Sequence, residues 1–236
     1  MTPTLRARLA GAVYVLSGVP AGFSVYVLLK LFVRGNPAAT AANILGSEGM
    51  FRLGYAAELV GVSLVIGALL LLYQLFKPAS RSLALLMMCF GLIGCTIQAL
   101  DPLADIAALI FLKGGASLAA FTTDQAQAMA LVLLRMHWLI YDVALVFFGV
   151  FAILVGVLIL KSTFLPRVLG VLMAIDGLGY LTLSFAVFLS PPFAARLPFL
   201  PFATAALGEG SLMLWLIIKG VNDRRWEEQA QRTEET

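Results

Sequence analysis

Six long apolar segments constrain the fold of this chain more than any other feature of its sequence. A transmembrane helix needs roughly 20 apolar residues, because each residue adds about 1.5 Å across a hydrocarbon core about 30 Å thick. The chain is 61% hydrophobic and 12% charged, whereas soluble domains average about 25% charged residues. The segments also lack the alternation of a membrane β-barrel. We therefore predict an all-α integral membrane protein with six transmembrane helices in one bundle, at about residues 9–32, 53–76, 82–112, 126–160, 165–189 and 202–218.

The distribution of lysine and arginine predicts the orientation of these spans. Of the 16 basic residues, ten fall on one side of the membrane, five on the other, and Arg135 falls inside a span. Because cytoplasmic loops carry an excess of basic residues, we expect both termini in the cytoplasm. Residues 1–221 then form the transmembrane domain. Residues 222–236 form a charged cytoplasmic tail, which we expect to be a frayed helix followed by disorder.

Several kinds of function are disfavoured by what the sequence lacks. The net charge of +3 comes from scattered basic residues, so nucleic-acid binding is not expected. Cys89 and Cys95 lie six residues apart in one predicted helix and cannot bridge each other. Nucleotide-binding glycine loops and zinc-protease motifs are absent, and the single histidine, His137, excludes sites with several histidines. We expect no cofactor and no metal, with a carboxylate-rich metal site as the weak remaining option.

Ionisable residues inside the spans are the best functional candidates, because each costs about 2.5–3.5 kcal/mol at the centre of a membrane helix. The direction and depth of each helix place most of them in the outer half of the membrane, where we expect a polar cluster open to the outer face. Asp176 and Glu209 fall nearer the middle. The candidate ligand-binding or proton-carrying residues are Glu209, His137, Glu58, Asp142, Asp176, Arg135, Asp101, Asp105 and Tyr141.

The polar residues of the fourth span fall on two faces of its helix. At about 100° per residue, Asp142 lies about 20° from Arg135, and Tyr141 lies about 40° from His137 on roughly the opposite side. Arg135 can therefore pair with Asp142 or with an acid on a neighbouring helix, as a structural ion pair. His137 must find its partner on another helix, either as a structural histidine or as a ligand or proton carrier.

The third span carries a second polar face, interrupted by a proline. Gln98, Asp101 and Asp105 fall within a sector of about 80°, and Pro102 cannot donate a helical hydrogen bond. A broken helix that lines water is one interpretation. The alternative is that the two aspartates lie at the membrane interface and end the span.

Glu209 lies in the plainest surroundings, "AALGEGSLMLWL". The glycines on both sides of it allow close approach of another helix or of a ligand. We expect Glu209 to be either a proton carrier or the partner of His137 or Arg135.

Three segments together resemble a known family. "ATAANILGSEGMFRLG", "KSTFLPRVLGVLMAIDGLGYL" and "GEGSLMLWLIIKG" occur in the order and spacing of the bacterial membrane family catalogued as domain of unknown function 4386. The resemblance extends from the first span to Gly220. It implies a six-span protein of the bacterial cytoplasmic (inner) membrane, and it brings no known catalytic residues to this chain.

Three functions are consistent with the sequence. The first is binding or transport of a small polar or cationic ligand, or of protons, through an acid-lined outer cavity. The second is a non-catalytic accessory or assembly protein whose buried charges fix helix pairing. The third is a membrane-embedded lipid-modifying enzyme with His137 as general base, so the sequence leaves open whether the protein is an enzyme. The expected partners are the lipid bilayer and either a second copy of the chain or another membrane protein.

Overall fold

A computed structural model describes residues 1–234 as a succession of helices, with no β-strand among them. Glu235 and Thr236, the end of the predicted tail, lie outside the described residues. A short 3₁₀ turn, Ala116–Leu118, and a π-helical turn, Ala206–Gly210, lie among the α-helices. The α-helices are α1 (Pro3–Leu31), α2 (Pro37–Gly46), α3 (Glu48–Phe76), α4 (Arg81–Gln98), α5 (Asp101–Lys113), α6 (Thr123–Lys161), α7 (Arg167–Leu189), α8 (Pro191–Ala194), α9 (Leu200–Ala205), α10 (Ser211–Ile218) and α11 (Asp223–Glu234).

Six helical stretches within residues 1–234 are long and apolar enough to cross a membrane, which confirms the predicted fold class. The predicted boundaries are close to the observed ones but generally too short. The second span, for example, begins at Glu48 rather than near residue 53. The third span is α4 followed by α5, and the sixth is α9, the π-helical turn and α10. The protein is therefore a multi-pass membrane protein.

The third span is broken before Pro102, which agrees with one of the two interpretations of its sequence. Helix α4 ends at Gln98 and α5 begins at Asp101. Pro102 has no N–H to donate to the carbonyl of Gln98, and its ring clashes with the preceding turn. The break matters for function because it places Asp101 in the first turn of a new helix.

The described residues divide into two compact units. Unit 1 contains Met1–Leu16, Leu64–Cys95 and the described residues from Asp142 onward, and unit 2 contains Ser17–Ser63 and Thr96–Tyr141. Helices α1, α3, α4 and α6 each contribute residues to both units.

Unit 1 is organised around a close crossing of α6 and α7. A Cβ added to Gly156 would lie 2.6 Å from the carbonyl oxygen of Gly170, and one added to Gly149 would lie 2.9 Å from that of Gly177. Small residues at these positions let the two backbones touch, which is how helices pack in a solvent that gives no hydrophobic driving force.

The described part of the charged tail is the helix α11, whereas we expected a frayed helix followed by disorder. Side chains of α11 donate hydrogen bonds to backbone carbonyls elsewhere in unit 1. Trp226 donates from Nε1 to the carbonyl of Leu75 at 2.8 Å, and Gln229 donates to the carbonyl of Lys161 at 3.1 Å. The guanidinium of Arg6 lies 5.6 Å from the centre of the Trp226 ring.

Unit 2 has an aliphatic and aromatic core contributed by α1, α2, α3, α5 and α6. The fully buried side chains Ile44 and Phe51 lie at its centre, with Tyr55 and Trp138 packed against it. The carboxylates and the histidine predicted as a candidate site are buried within the same unit.

Candidate functional site

Unit 2 brings together four of the predicted site residues, Glu58 on α3, Asp101 and Asp105 on α5, and His137 on α6. We term them the carboxylate–histidine cluster. Asp101 and Asp105 are four residues apart, so they project from the same face of α5. Their exposed fractions are 0% and 1%, and those of His137 and Glu58 are 4% and 5%. The expected cluster open to the outer face is thus a packed one, since these side chains face neighbouring helices rather than an opening.

His137 finds its partner on another helix, as its position on α6 predicted. Its Nδ1 lies 3.2 Å from Oδ2 of Asp105. The angle is not that of an aligned hydrogen bond, because Nδ1 has no hydrogen-bond partner by geometry. The contact is therefore mainly a charge interaction. On the other side the imidazole meets the Trp138 ring edge to face, with centroids 5.3 Å apart.

Glu58 is held by neutral hydrogen-bond donors. Ser24 on α1 donates from Oγ to Oε2 of Glu58 at 3.3 Å. The side chain of Gln98, the last residue of α4, also interacts with this carboxylate. These contacts orient the Glu58 carboxylate without cancelling its charge.

Asp101 has no such support. Both of its carboxylate oxygens are buried and neither has a hydrogen-bond partner in the protein. The structure places one ligand atom from each of Glu58, Asp101 and His137 within 4.8 Å of one another. A buried carboxylate without a partner is costly, so the geometry suits a bound cation or proton. From the sequence we expected no metal. Within residues 1–234, these three side chains are placed so that they could hold a metal ion.

Unit 1 contains a second group of predicted residues, Asp176 on α7 and Glu209 on the π-helical turn. With Tyr14 and Tyr180 they form what we term the acid–tyrosine cluster. Both tyrosine side chains interact with the Glu209 carboxylate. Asp176 is 0% exposed, and its two carboxylate oxygens have no hydrogen-bond partner.

Glycine explains how Glu209 reaches this position. A Cβ on Gly208 would lie 2.5 Å from the Cβ of Asp176, so only glycine lets the sixth span approach α7 this closely. The π-helical turn adds one residue to the helical repeat, and such turns are frequent at functional sites. Gly208 thus serves close helix approach, one of the two uses expected from the sequence, whereas a Cβ on Gly210 would meet only the carbonyl oxygen of Ala205 at 3.7 Å.

The remaining candidates are Arg135, Tyr141 and Asp142, and none of them is among the three possible metal ligands found in unit 2. Arg135 is exposed, whereas Tyr141 and Asp142 are half-buried. The burial of His137 and the exposure of Arg135 agree with the prediction that the polar residues of this helix serve two faces.

Three residues in or beside the two clusters were not predicted. Ser24 is a lone hydroxyl in an apolar helix and gave no signal in the sequence. Tyr14 is equally unmarked, because its partner comes from the distant sixth span. Tyr180 was accessible to prediction, since it follows Asp176 by four residues and therefore shares its helix face.

The larger cavities of the two units are elsewhere. One of about 670 Å³ in unit 1 is lined by residues that include Arg167, Arg225 and Gln229. Another of about 280 Å³ in unit 2 is lined by residues that include Phe111, Phe121 and Gln127. Neither contains a predicted site residue, so the acid-lined outer cavity expected from the sequence is not among them.

Comparison with known proteins yields one match. No protein of curated function shows significant similarity to the chain, and no solved structure does either. The sequence pattern of a single family covers residues 9–220, which includes every residue of both clusters. The chain thus belongs to the family described as domain of unknown function DUF4386.

Proposed function

We propose that this protein binds a small cation inside the membrane at the carboxylate–histidine cluster. The supporting observation is a charge imbalance, three buried carboxylates facing one imidazole. Arg52 and Lys113 pair with Glu48, and Arg224 pairs with Glu228, so these cations do not neutralise the cluster. The negative charge of the cluster must then be balanced by His137, by protons or by a cation. Passage of the cation across the membrane is the larger function that such a site would serve.

The resemblance noted in the sequence and the distribution of basic residues support a cellular location. We propose that the protein resides in the bacterial cytoplasmic membrane with both termini inside the cell. The excess of lysine and arginine in the loops on the side of the termini supports this orientation.

An accessory protein with structural charges accounts less well for the cluster. Charges that only fix helix pairing should be paired with each other, because a lone buried charge destabilises the fold. Asp101 has two buried oxygens and no partner for either. A site that a cation completes explains this residue directly.

A lipid-modifying enzyme is also less well supported. A general base needs an orienting carboxylate, and Asp105 at 3.2 Å from His137 satisfies that requirement. It also needs access to its substrate, and His137 is 4% exposed. The buried cluster suits a small ion better than a lipid.

The test of cation binding is a set of melting curves. Purified protein in detergent would be heated with Na⁺, K⁺, Mg²⁺, Ca²⁺, Mn²⁺ or Zn²⁺, each against choline as an inert cation. A ligand that binds only the native state at 100 times its Kd stabilises it by about 2.7 kcal/mol. We expect at least one cation to raise the melting temperature of the wild type but not of Asp101→Asn.

The matched control is Asp124→Asn, which removes an exposed acid from the same unit. It should retain the full cation response. The proposal fails if no cation stabilises the wild type, or if Asp101→Asn responds as strongly as the wild type does.

A second candidate function, proton carriage, is favoured by the acid–tyrosine cluster. Asp176 has no hydrogen-bond partner for either oxygen and lies beside Glu209. A buried carboxylate such as Asp176 is repelled by a carboxylate next to it unless one of the two holds a proton. The two tyrosine hydroxyls near Glu209 can donate hydrogen bonds that stabilise its charged form.

Infrared spectroscopy would test this second function. A protonated acid shows a carbonyl stretching band that a carboxylate lacks, and the band shifts in D₂O. We expect such a band in the wild type at neutral pH, its loss in Asp176→Asn or Glu209→Gln, and a shifted frequency in Tyr14→Phe. A wild-type spectrum without the band would contradict a shared proton.

A further inference from the structure

We propose that Glu58, Asp101 and His137 are the protein ligands of one divalent transition-metal ion of the zinc, manganese and iron(II) class. This inference rests on the proposed cation-binding function and makes its ligand specific. It concerns a site in unit 2 formed by residues from three helices, α3, α5 and α6.

The three ligand atoms are slightly farther apart than they would be around a bound metal ion. The three atoms lie within 4.8 Å of one another. Ligands bound at about 2.0–2.2 Å in tetrahedral or octahedral geometry are roughly 3–3.5 Å apart. Side-chain rotations that move each ligand atom by about 1 Å or less would therefore bring the three atoms to bonding distance of one metal ion. Such movement is available to Asp101, whose carboxylate no hydrogen bond restrains.

The set of ligands selects the class of metal. Two carboxylates supply the two negative charges that a divalent cation requires, and the cost of burying them falls when it binds. An imidazole nitrogen favours zinc, iron and manganese-like ions over Mg²⁺ and Ca²⁺, which prefer oxygen alone. Three protein ligands leave at least one coordination position for water or for a substrate.

Asp105 and Ser24 complete the arrangement as positioning residues. Oδ2 of Asp105 lies 3.2 Å from Nδ1 of His137, and a small rotation of the ring would align the hydrogen bond by which a carboxylate fixes a histidine ligand and increases its basicity. Ser24 donates to Oε2 of Glu58, which leaves the other oxygen of that carboxylate for the metal. The cluster thus has both ligands and the outer contacts that metal sites use.

The experiment uses Co²⁺ as a spectroscopic probe. Purified full-length protein, stripped with a chelator and exchanged into chelator-free buffer, would be titrated with Co²⁺ while its visible spectrum is recorded. We expect one Co²⁺ per chain, displaced by Zn²⁺ and not by Mg²⁺. Asp101→Asn and His137→Gln should each weaken binding at least 10-fold, and Asp105→Asn should weaken it about 10–100-fold while changing the spectrum.

Control measurements separate loss of the site from loss of the fold. Asp124→Asn should bind Co²⁺ as the wild type does, and each variant would be accepted only with a cooperative melt. Wild-type protein that binds no Co²⁺, or ligand variants that bind it normally, would overturn the metal assignment. If Na⁺ or K⁺ stabilises the protein and Co²⁺ does not bind, the metal assignment fails but cation binding stands. If no cation binds, both fail.

Discussion

The substitution Asp101→Asn should stabilise the cation-free protein, although it removes a functional residue. Asparagine keeps the shape of aspartate and removes its charge. The ligand atoms of Asp101 and Glu58 are at most 4.8 Å apart. Two unit charges at that distance repel by about 3.5 kcal/mol at an effective dielectric constant of about 20.

The stabilisation expected from Asp101→Asn is smaller than the sum of the carboxylate repulsions that it removes. The reason is that charged His137 attracts Asp101 and offsets part of that repulsion. Asp101 faces two carboxylates, Glu58 and Asp105, and one imidazole. When all are charged, one repulsion is left uncancelled, so the expected stabilisation of Asp101→Asn is up to about 3 kcal/mol. Protons bound to the cluster lower that figure. The direction follows from the general cost of a functional site to stability.

Thermal unfolding of the purified protein in detergent, with a chelator present, measures this effect. Trp138, one of three tryptophans, lies against His137, so part of the tryptophan fluorescence reports on the cluster. Asp101→Asn should melt above the wild type in chelator, and the difference should shrink or reverse with saturating metal. Asp124→Asn should change the free energy of unfolding by less than about 0.5 kcal/mol. A variant that melts clearly lower in chelator would mean that the Asp101 carboxylate stabilises the fold, which refutes the charge argument.

Three further predictions concern the packing of α6 on α7, the tail helix α11 and the acid–tyrosine cluster. Gly156→Ala places a methyl group 2.6 Å from the carbonyl oxygen of Gly170, so it should lower the free energy of unfolding by about 1–3 kcal/mol in a denaturant melt. Gly22→Ala in α1 is its control, since a Cβ there meets nothing within 4 Å, and a change as large as that of Gly156→Ala would contradict the crossing. Trp226→Phe removes the 2.8 Å hydrogen bond to Leu75 and should speed trypsin cleavage within α11, whereas Arg224→Gln at the exposed pair with Glu228 should leave the other cleavage sites as they are. Tyr180→Phe should shift the frequency of the infrared band of the acid–tyrosine cluster. An unchanged band would mean that the Tyr180 hydroxyl does not contact the Glu209 carboxylate.

The helices and the break in the third span were predictable because membrane solvation acts on each segment alone. A run of about 20 apolar residues must form a helix in hydrocarbon to satisfy its backbone, and Pro102 interrupts a helix wherever it stands. The helix α11 was not predictable in the same way. Its polar composition predicts a frayed end, and only backbone carbonyls offered by Leu75 and Lys161 stabilise it.

For the candidate site too, the sequence identified the residues but not their contacts. Composition and position were enough to single out Glu58, Asp101, Asp105 and His137, because an ionisable group within a span is costly. The angle of His137 on its helix was enough to assign its partner to another helix. The sequence could not say that this partner is Asp105 rather than Glu209, because residues far apart in the chain meet only through helix packing.

The sequence by itself therefore determined that this is a six-span helical membrane protein and which of its buried residues are chemically unusual. The tertiary structure decided that these residues form two clusters, one in each unit, and that the carboxylate–histidine cluster is buried rather than open to the surface. It also decided that a glycine at 208 serves the approach of Glu209 to Asp176. The physical reason is that solvation and helix periodicity are properties of single segments, whereas the meeting of charges depends on which helix faces touch.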